Sequence, residues 1–311
     1  MRKLAIELGW TTPALRSMFG TNNGIGSQGI IIDGTEAQKD YWLPRMASGE
    51  VIGSFALTEP DVGSDAASVR TTARRDGDSY VLNGTKRYIT NADKADLFTV
   101  MARTGEGKRE EGVTAFIVDR GTPGFVVERE IPMIGGRRTY ELVFEDCRVP
   151  DSQVLGEVGR GYAPMQLRLN VRRLQMGARC VGISRRALAM MCEQAKQRVT
   201  FGVPLSERQA VQWWIADAAT RIHACRLMVQ AAAATLDAGG DVRNEASMVK
   251  VFGTEMAQEV VDNAMQCFGA MGVAKELPLQ LFAQQVRLMR VYEGPTEVHR
   301  MAIARRELRR A

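Results

Sequence analysis

The hydrophobic pattern divides the chain into three regions. Residues 1–50 look helical, and Thr35 and Gln38 of the sequence TEAQ are spaced as a capping box, in which each side chain bonds the other residue's backbone amide at a helix start. Residues 51–155 alternate with a period of two, which is typical of strands, and residues 156–311 return to the spacing of long helices. The pattern predicts an α+β chain with N-terminal helices, a central antiparallel β-barrel or sandwich domain and a C-terminal four-helix bundle.

The central region reads as one strand after another. The sequence SYVLNGTKRYIT at 79–90 has two β-prone runs around Asn83 and Gly84, and Asn-Gly is a strong signal for a two-residue hairpin turn. Further strands are predicted at 97–103, 113–120, 125–129 and 140–149. Because no helical pattern separates them, antiparallel pairing between successive strands is expected.

Apolar residues form two long stripes in the C-terminal region, at alternating intervals of four and three. The first stripe, interrupted only by Arg185, holds Leu167, Val171, Leu174, Ala178, Val181, Leu188 and Cys192, and the second holds Val211, Ile215, Ala218, Ile222, Cys225, Val229, Ala232 and Leu236. Such stripes are typical of long helices that pack at shallow angles. Two further helical stretches, at about 243–271 and 278–291, complete a predicted bundle of four helices.

Composition narrows the function classes. The 311 residues carry a formal charge of +5 that is spread along the chain, so nucleic acid is not implied as a partner. No apolar run approaches the roughly 20 residues of a membrane helix, and no signal-peptide pattern opens the chain, so a cytoplasmic protein without a membrane partner is expected. The five cysteines form no CxxC pair and are read as reduced thiols. With only His223 and His299 present, metal sites and Ser-His-Asp chemistry are poor candidates.

One glycine-rich sequence imitates a nucleotide site. GIGSQG at 24–29 matches the dinucleotide fingerprint, which works only between a strand and a helix. The residues before it do not read as a strand, and the apolar run IIID follows instead of a helix. We therefore reject it as a nicotinamide site.

The most informative carboxylate lies in RVYEGPTEVHR at 290–300. Glu293 stands between Tyr292 and a Gly294–Pro295 pair, and Gly-Pro interrupts helices. A glutamate at such a break either lies on the surface, as most glutamates do, or points into a cavity.

Four motifs, in order along the predicted elements, settle the choice. They are ALTEPDVGSD at 56–65, NGTKRYITNA at 83–92, QRVTFGVPLSERQA at 197–210, and QCFGAMGV at 266–273 followed by the stretch around Glu293. Together they resemble the acyl-CoA dehydrogenase family of flavoproteins over essentially the whole chain. The resemblance implies FAD as the cofactor and α,β-dehydrogenation of an acyl-CoA thioester, an oxidoreductase reaction on a CH–CH group.

The resemblance implies two groups of FAD contacts. From the β-domain come Leu57, Thr58, Tyr88, Ile89 and Thr90, with Tyr88 in place of a more usual tryptophan. From the bundle come Arg198, Thr200, Phe201, Gln209, Gln266, Gly269 and Ala270, which reach the FAD of a neighbouring subunit. Two residues beside the break, Thr296 and Glu297, also lie near the cofactor.

The resemblance also makes Glu293 the catalytic base, which removes the α proton while hydride leaves the β carbon for the flavin. Glu297 is the rival carboxylate. Contacts to the acyl-CoA are implied for Ser64, Asn170, Arg173, Tyr292 and Gly294. Arg172 departs from the small residue common at its position, so the sequence leaves open which of the two arginines, 172 or 173, faces the ligand.

The implied partners are an acyl-CoA substrate, electron-transferring flavoprotein as the acceptor, and further copies of the chain in a homodimer or homotetramer. A same-fold oxidase or monooxygenase that uses dioxygen is the alternative, and a non-catalytic flavin-binding relative is a third. The nature of the acyl group is not indicated. The family's N-terminal domain has several more helices before the point where this sequence begins, so either a truncated sequence or a more open acyl pocket is expected.

Overall fold

The computed structural model describes residues 2–11, 21–105 and 110–310. The chain forms two compact units, one made of residues 17–169 and the other of residues 1–16 with 170–311. The described helices are α1 (Arg2–Trp10), α2 (Ser27–Asp33, after a π-helical segment Thr21–Gly26), α3 (Glu36–Ser48), α4 (Tyr162–Gln197), α5 (Gln209–Asp237), α6 (Arg243–Phe268), α7 (Ala270–Val273), α8 (Leu279–Met289) and α9 (Thr296–Arg310).

The strands belong mainly to the unit 17–169. They are β1 (Gly53–Ala56), β2 (Thr72–Asp76), β3 (Ser79–Thr90), β4 (Leu97–Arg103), β5 (Val113–Asp119), β6 (Phe125–Met133), β7 (Arg137–Pro150) and β8 (Val154–Leu155), followed in the helical unit by β9 (Val199–Thr200) and β10 (Val203–Pro204). The α+β architecture is thereby confirmed, and so are the strands predicted at 97–103, 113–120, 125–129 and 140–149.

Within the described residues, β1 to β8 form one sheet in the order β6-β7-β3-β2-β4-β5-β8. Most neighbours pair antiparallel, as expected. The exceptions are β1 and the first residue of β2, which both pair parallel with β4. β1 therefore ends in the middle of the sheet, and the segment that follows it runs beside β3.

The central strands are buried on both faces. Leu97 and Met101 of β4 join one apolar cluster, while Phe98 and Val100 on the opposite face join another. The first cluster is covered from within the same unit by helix side chains, namely Ile30, Trp42, Met46, Met165 and Leu169. Burial on both faces explains why β4 and β5 are nearly continuous apolar runs, so the period of two predicted for this region does not hold in these two strands.

The N-terminal helices largely match the prediction. The Thr35–Gln38 capping box is present, with Thr35 Oγ1 accepting from the Gln38 amide at 3.2 Å and Gln38 Oε1 accepting from the Thr35 amide at 3.0 Å. Pro44 lies inside α3, and the helix continues past it to Ser48. Side chains on both sides of the proline, Trp42 and Met46, are buried and hold the helix in place.

One reason for rejecting GIGSQG was wrong. The apolar run after the glycines is not irregular, because it forms most of α2. The other reason agrees with the structure, since the residues that lead into the glycines belong to the helical segment Thr21–Gly26 and not to a strand.

The hairpin predicted at Asn83–Gly84 was also wrong, because β3 runs through both residues without a turn. Gly84 has φ +147, and the pairing with β7 shifts register between Leu82 and Gly84. A Cβ at Gly84 would lie 2.7 Å from Thr71 Oγ1. The glycine therefore serves a β-bulge and a close approach to the neighbouring strand, which is the other use of glycine in a strand.

The actual turn at the start of β3 lies six residues earlier in the sequence. Asp76 of β2 pairs with Ser79 of β3, so Gly77 and Asp78 form a two-residue loop. Gly77 has φ +64, the left-handed conformation that such hairpin turns require and that glycine adopts without strain.

The helical unit contains the predicted bundle helices α4, α5, α6 and α8, and adds α9 at the end. The second apolar stripe is confirmed, since every one of its members is buried or half-buried. In the first stripe Leu167 was placed wrongly, because its side chain is 56% exposed. Four of the five cysteines are buried and Cys192 is half-buried, all as free thiols.

None of the helices in the described part of the chain is long and apolar enough to cross a membrane. Over the same residues, no group of His, Cys, Asp and Glu side chains is arranged to hold a metal ion.

Candidate active site

The helical unit breaks sharply between α8 and α9, where Glu293 lies. Glu293 has φ +58 and Gly294 has φ +92, so two consecutive residues adopt left-handed backbone angles. For a glutamate this conformation is strained, at a cost on the order of 1–3 kcal/mol. At the second position glycine is required for a further reason, because a Cβ on Gly294 would lie only 2.9 Å from His299 Nε2.

Three basic side chains hold the carbonyl groups of this break. Lys250 of α6 donates from Nζ to the carbonyl oxygen of Arg290 at 3.1 Å and also to that of Gly294. The carbonyl oxygen of Glu293 accepts from Arg173 Nε of α4 and lies beside His299 Nε2 of α9, at 3.2 Å in each case. Helices from three parts of the sequence therefore fix the strained backbone.

His299 is buried and neutral. A carbonyl oxygen can only accept, so Nε2 carries the proton toward Glu293, and Nδ1 accepts from the Ser247 hydroxyl at 3.2 Å. Burial lowers the pKa of His299 to about 3, and the positive charges of Arg173 and Lys250 act in the same direction.

Lys250 has no exposed surface. Burial lowers its pKa to about 8, against the opposing influence of the Glu293 carboxylate. The amino group is therefore still mostly protonated at neutral pH, and its charge strengthens the two hydrogen bonds that it donates to the break.

The carboxylate of Glu293 is largely enclosed, with 13% of the side chain exposed. Its Oε1 lies 3.4 Å from Nε of Arg172, whose side chain is 6% exposed. Its Oε2 is buried and has no hydrogen-bond partner among the described residues. Such an oxygen is costly to maintain and suggests a functional purpose.

Glu297, the rival carboxylate, has a different environment. It is exposed in the first turn of α9, and its Oε1 accepts from the Thr296 hydroxyl at 3.1 Å. Its own backbone amide, followed by the Thr296 hydroxyl, holds the pKa of Glu297 below its usual value. Thr296 itself is buried.

The structure brings together most of the predicted acyl-CoA contacts of the helical unit. Arg173 Nη1 donates to Asn170 Oδ1 at 2.9 Å, one helical turn away, while its Nε reaches the Glu293 carbonyl. Tyr292 and Gly294 are half-buried in the break itself. Ser64, in contrast, is exposed on a loop of the other unit, between β1 and β2.

The predicted flavin contacts of the β-unit also lie together, although they come from two segments. Lys86 Nζ donates to the carbonyl oxygen of Leu57 at 3.1 Å, and the Arg87 amide donates to that of Thr58 at 2.7 Å. The carbonyl oxygen of Thr90 accepts from the Ser54 hydroxyl at 2.7 Å. These bonds place the end of β1 alongside the second half of β3.

A second bulge in β3 turns Tyr88 outward. The pairing with β7 shifts register between Lys86 and Ile89, and Tyr88 has φ +60. Its ring is 47% exposed, while Ile89 beside it is buried. Thr58 and Thr90 are half-buried on either side. This surface thus offers hydroxyl and backbone groups next to an exposed aromatic face.

A buried ion pair supports this segment. Lys86 Nζ lies 2.7 Å from Glu59 Oε1, and neither side chain is more than 5% exposed. Burial lowers the pKa of Lys86 to about 8. Burial would raise the pKa of Glu59, but the Lys86 charge and hydrogen bonds from Lys86, Thr71 and Arg70 bring it below its usual value. Both groups are therefore charged at neutral pH.

The residues expected to reach a neighbouring subunit's FAD lie on the surface of the helical unit. Phe201 is 99% exposed at the turn between β9 and β10, with φ +51. Thr200 is half-buried beside it, and its carbonyl oxygen accepts from Arg208. The other members of the group are all exposed, namely Arg198, Gln209, Gln266, Gly269 and Ala270.

Sequence reasoning missed three charged side chains that support these sites, Lys86, Glu59 and Lys250. For Lys250 the sequence held a signal, because it stands between Val249 and Val251 in a predicted helix, and a lysine among apolar residues calls for a partner. His299, which the sequence analysis considered only for metal and triad chemistry, contacts the Glu293 backbone directly.

Three family models match this chain consecutively. They are described as the N-terminal, middle and C-terminal domains of acyl-CoA dehydrogenase, and they match residues 3–50, 54–147 and 159–308. The chain belongs to the acyl-CoA dehydrogenase family.

Individual relatives agree with this assignment. The acryloyl-CoA reductase (NADH) of Anaerotignum propionicum is 39% identical over 92% of this chain and 74% of its own length. The structure of butyryl-CoA dehydrogenase from Megasphaera elsdenii superposes with a TM-score of 0.94 at 34% identity, covering 99% of this chain and 81% of that one. A chain solved in work on the electron transferring flavoprotein of Acidaminococcus fermentans gives a TM-score of 0.91 at 36% identity, with 99% and 80% covered.

Membership of the acyl-CoA dehydrogenase family fixes the chemistry in outline. The chain is an FAD-dependent oxidoreductase that acts on acyl-CoA thioesters. The roles of individual residues have to be argued from the geometry above.

Proposed function

We propose that Glu293 is the base that removes the α proton of an acyl-CoA thioester during α,β-dehydrogenation. The observation that carries this proposal is its Oε2, a buried carboxylate oxygen without a hydrogen-bond partner among the described residues. A general base needs a free lone pair within hydrogen-bond reach of the proton. The strained backbone, held by Lys250, Arg173 and His299, keeps the carboxylate aimed rather than mobile.

Glu297 is the weaker candidate for two physical reasons. Its side chain is exposed, so water solvates its charge and weakens its attraction for a substrate proton. Its lowered pKa, caused first by its own backbone amide and then by the Thr296 hydroxyl, also makes it a poorer proton acceptor. We assign Glu297 and Thr296 to cofactor contact, as the sequence predicted.

The residues present suit FAD. In the β-unit, the Thr58 and Thr90 hydroxyls and the backbone around Leu57 and Ile89 are of the donor and acceptor type that a flavin's polar edge needs, and the exposed Tyr88 ring offers a flat apolar surface. On the helical unit, Arg198 offers a planar fork suited to a pyrophosphate. When bound, FAD supplies the acceptor for the hydride that leaves the β carbon.

We place Asn170, Arg173, Ser64, Tyr292 and Gly294 in substrate binding. Two donors of Arg173 already serve Asn170 and the Glu293 carbonyl, and these bonds compete with direct binding of CoA phosphates. Its effect on the substrate therefore includes orienting the break that carries Glu293. Relatives named for butyryl-CoA and acryloyl-CoA favour a short acyl group.

We further propose electron-transferring flavoprotein as the electron acceptor and a homodimer or homotetramer as the working form. The acceptor is supported by the relative solved in work on such a flavoprotein. The oligomer is supported by the fully exposed Phe201, because a contact with another copy of the chain would remove this large apolar ring from water.

The replacement Glu293→Gln tests the base. The amide keeps the shape of the side chain but lacks the basic lone pair, so FAD and acyl-CoA should still bind. Flavin bleaching by butyryl-CoA, followed anaerobically in a stopped-flow instrument, should slow by about 10²–10⁴-fold, the usual contribution of general-base catalysis. Glu297→Gln is the matched control and should alter FAD affinity more than the rate of bleaching.

Equal bleaching rates for wild type and Glu293→Gln would exclude Glu293 as the base. A slow Glu297→Gln beside a normal Glu293→Gln would move the role one helical turn along the chain. Reoxidation of the reduced enzyme by dioxygen as fast as by electron-transferring flavoprotein would favour the oxidase alternative.

A further inference from the structure

The exposed side of α5 carries little charge for a helix surface. Trp213 and Leu227 are 60% and 49% exposed. Further uncharged side chains face outward with them at intervals of three and four residues, namely Ala216, Thr220, His223, Gln230 and Ala234. Between residues 212 and 235, all of which the structure describes, Asp217 and Arg226 are the only exposed side chains with a formal charge. A helix side that faces water normally carries more charge than this.

α9 provides the comparison within the same unit. Most of its exposed side chains are charged, namely Glu297, Arg300, Arg305, Glu307, Arg309 and Arg310. The exposed side of α5 instead repeats the three-four spacing of its own buried side, the second apolar stripe. Such a spacing is typical of the seam along which one helix packs against another. α5 therefore has two packing faces, and the described part of the chain covers one of them.

The exposed face of α5 is complementary to itself when the helix direction is reversed. With a rise of 1.5 Å per residue, a two-fold axis midway between residues 221 and 222 has Asp217 and Arg226 at equal distances of about 7 Å. Ala216 and Leu227 both lie about 8 Å from the same axis, on opposite sides. An antiparallel second copy therefore places acid against base and a small side chain against a large one.

The two charges on this face have no partner of opposite sign among the described residues of their own chain. The cation one turn along from Asp217 is Arg221, which pairs with Glu259 instead. Arg226 contacts the neutral ring of His223, where its Nη2 donates to Nδ1 at 3.4 Å. In the reversed pair each Asp217 meets an Arg226 of the other copy, and the two-fold axis generates this ion pair twice.

We propose that the exposed face of α5 binds the same face of a second copy of this chain in an antiparallel, two-fold contact. A two-fold contact uses the same patch on both copies and so requires a patch that is complementary to itself. Together with the contact proposed at Phe201, the α5 contact makes the protein a homotetramer, a dimer of dimers. The inference rests on the proposed contact at Phe201 for the first dimer, and the proposed chemistry at Glu293 does not depend on it.

Charge reversal of the FAD-loaded protein tests the pairing, with the mass measured by analytical ultracentrifugation. Wild type should be a tetramer. Asp217→Arg or Arg226→Asp places like charges opposite each other at two symmetry-related positions. Each variant should therefore raise the dissociation constant of the tetramer by roughly 100-fold, about tenfold for each position, and give an FAD-containing dimer. The double replacement of Asp217→Arg with Arg226→Asp restores opposite charges and should restore the tetramer.

Two further variants make the result decisive. Arg305→Asp reverses an exposed charge on α9 and should leave the tetramer intact. Trp213→Glu places a charge in the proposed contact and should also give a dimer, which decides the question if a reversal at 217 or 226 does not fold. Retained FAD and bleaching by butyryl-CoA report that each dimeric variant is folded.

A dimeric wild type would overturn the inference, and so would a tetramer that none of the single replacements on α5 dissociates. Dissociation by both single reversals without recovery in the double replacement would overturn the antiparallel pairing. A monomeric wild type would overturn the inference together with the contact at Phe201. A tetrameric wild type that passes the charge-reversal test but whose flavin is not bleached by any acyl-CoA would refute the proposed chemistry and leave the α5 contact established.

Discussion

His299 should make the stability of the protein fall as the pH drops from 7 to 5. The imidazole is 3% exposed, and burial lowers its pKa to about 3, with Arg173, Lys250 and Arg306 contributing in the same direction. The Glu293 carbonyl acts in the opposite direction because it accepts from the ring. In the unfolded chain the same group titrates near 6.5.

The sign follows from proton binding. Between about pH 6.5 and 3 the unfolded chain binds a proton at residue 299 that the folded chain does not bind, so acid favours unfolding. The stability contributed by the neutral ring is complete above pH 6.5 and is lost as the pH falls through this window. At about 1.4 kcal/mol per pH unit, the free energy of unfolding should drop by about 2 kcal/mol between pH 7 and pH 5 from this residue alone.

Urea unfolding of wild type and His299→Gln at both pH values measures this contribution. Other titrating groups are common to both proteins, so the drop between pH 7 and 5 should be about 2 kcal/mol smaller in His299→Gln. His223→Gln removes the chain's other histidine, which is exposed, and should keep the wild-type drop. Identical drops in wild type and His299→Gln would refute the buried neutral imidazole.

Two further predictions concern the break and the assembly. In urea unfolding, Gly294→Ala should lose roughly 2–3 kcal/mol of unfolding free energy, because the alanine strains the left-handed backbone and displaces His299. Gly77→Ala is the control: Gly77 has φ +64 but faces open space, so this variant should lose only the part that comes from backbone strain. Light scattering should show that the wild type is at least a dimer, and the replacement Phe201→Ser should shift the equilibrium toward monomer. A monomeric wild type with tightly bound FAD would contradict the assignment of Phe201 to a partner's cofactor.

The sequence predicted the order of elements well because its strongest signals are periodic. β4 was located to the residue, and β5 and β7 to within three residues, since their apolar runs end at charged or glycine-rich turns. The prediction failed at Asn83–Gly84, where local turn chemistry suggested a hairpin. A glycine is needed there because the backbone and side chain of Thr71 lie too close for a Cβ, and this tertiary contact cannot be read from the sequence around residue 84. The boundaries at residues 50 and 155 stay predictions.

The candidate site was found through sequence motifs. Motifs identify a candidate catalytic residue more readily than the distant side chains that fix its backbone. Glu293 stood out because Gly-Pro follows it. The side chains that fix its backbone are distant in the sequence, at 173, 250 and 299, and nothing near them indicates a common target. The choice between Arg172 and Arg173 also required three dimensions, because consecutive helical residues point in different directions and here reach a carboxylate and a carbonyl respectively.

Two buried lysines, Lys86 and Lys250, donate hydrogen bonds to carbonyl oxygens of irregular backbone segments. Segments that carry functional residues are irregular, so their carbonyl groups lack the regular partners of a helix or sheet and would be costly to bury alone. Lys86 supplies a donor to the Leu57 carbonyl, and Lys250 supplies donors to those of Arg290 and Gly294. A lysine suits this purpose because one amino group on a flexible stem serves several acceptors. Burial lowers the pKa of both lysines to about 8, and their hydrogen bonds fix the backbone at the predicted flavin-contact segment and at Glu293.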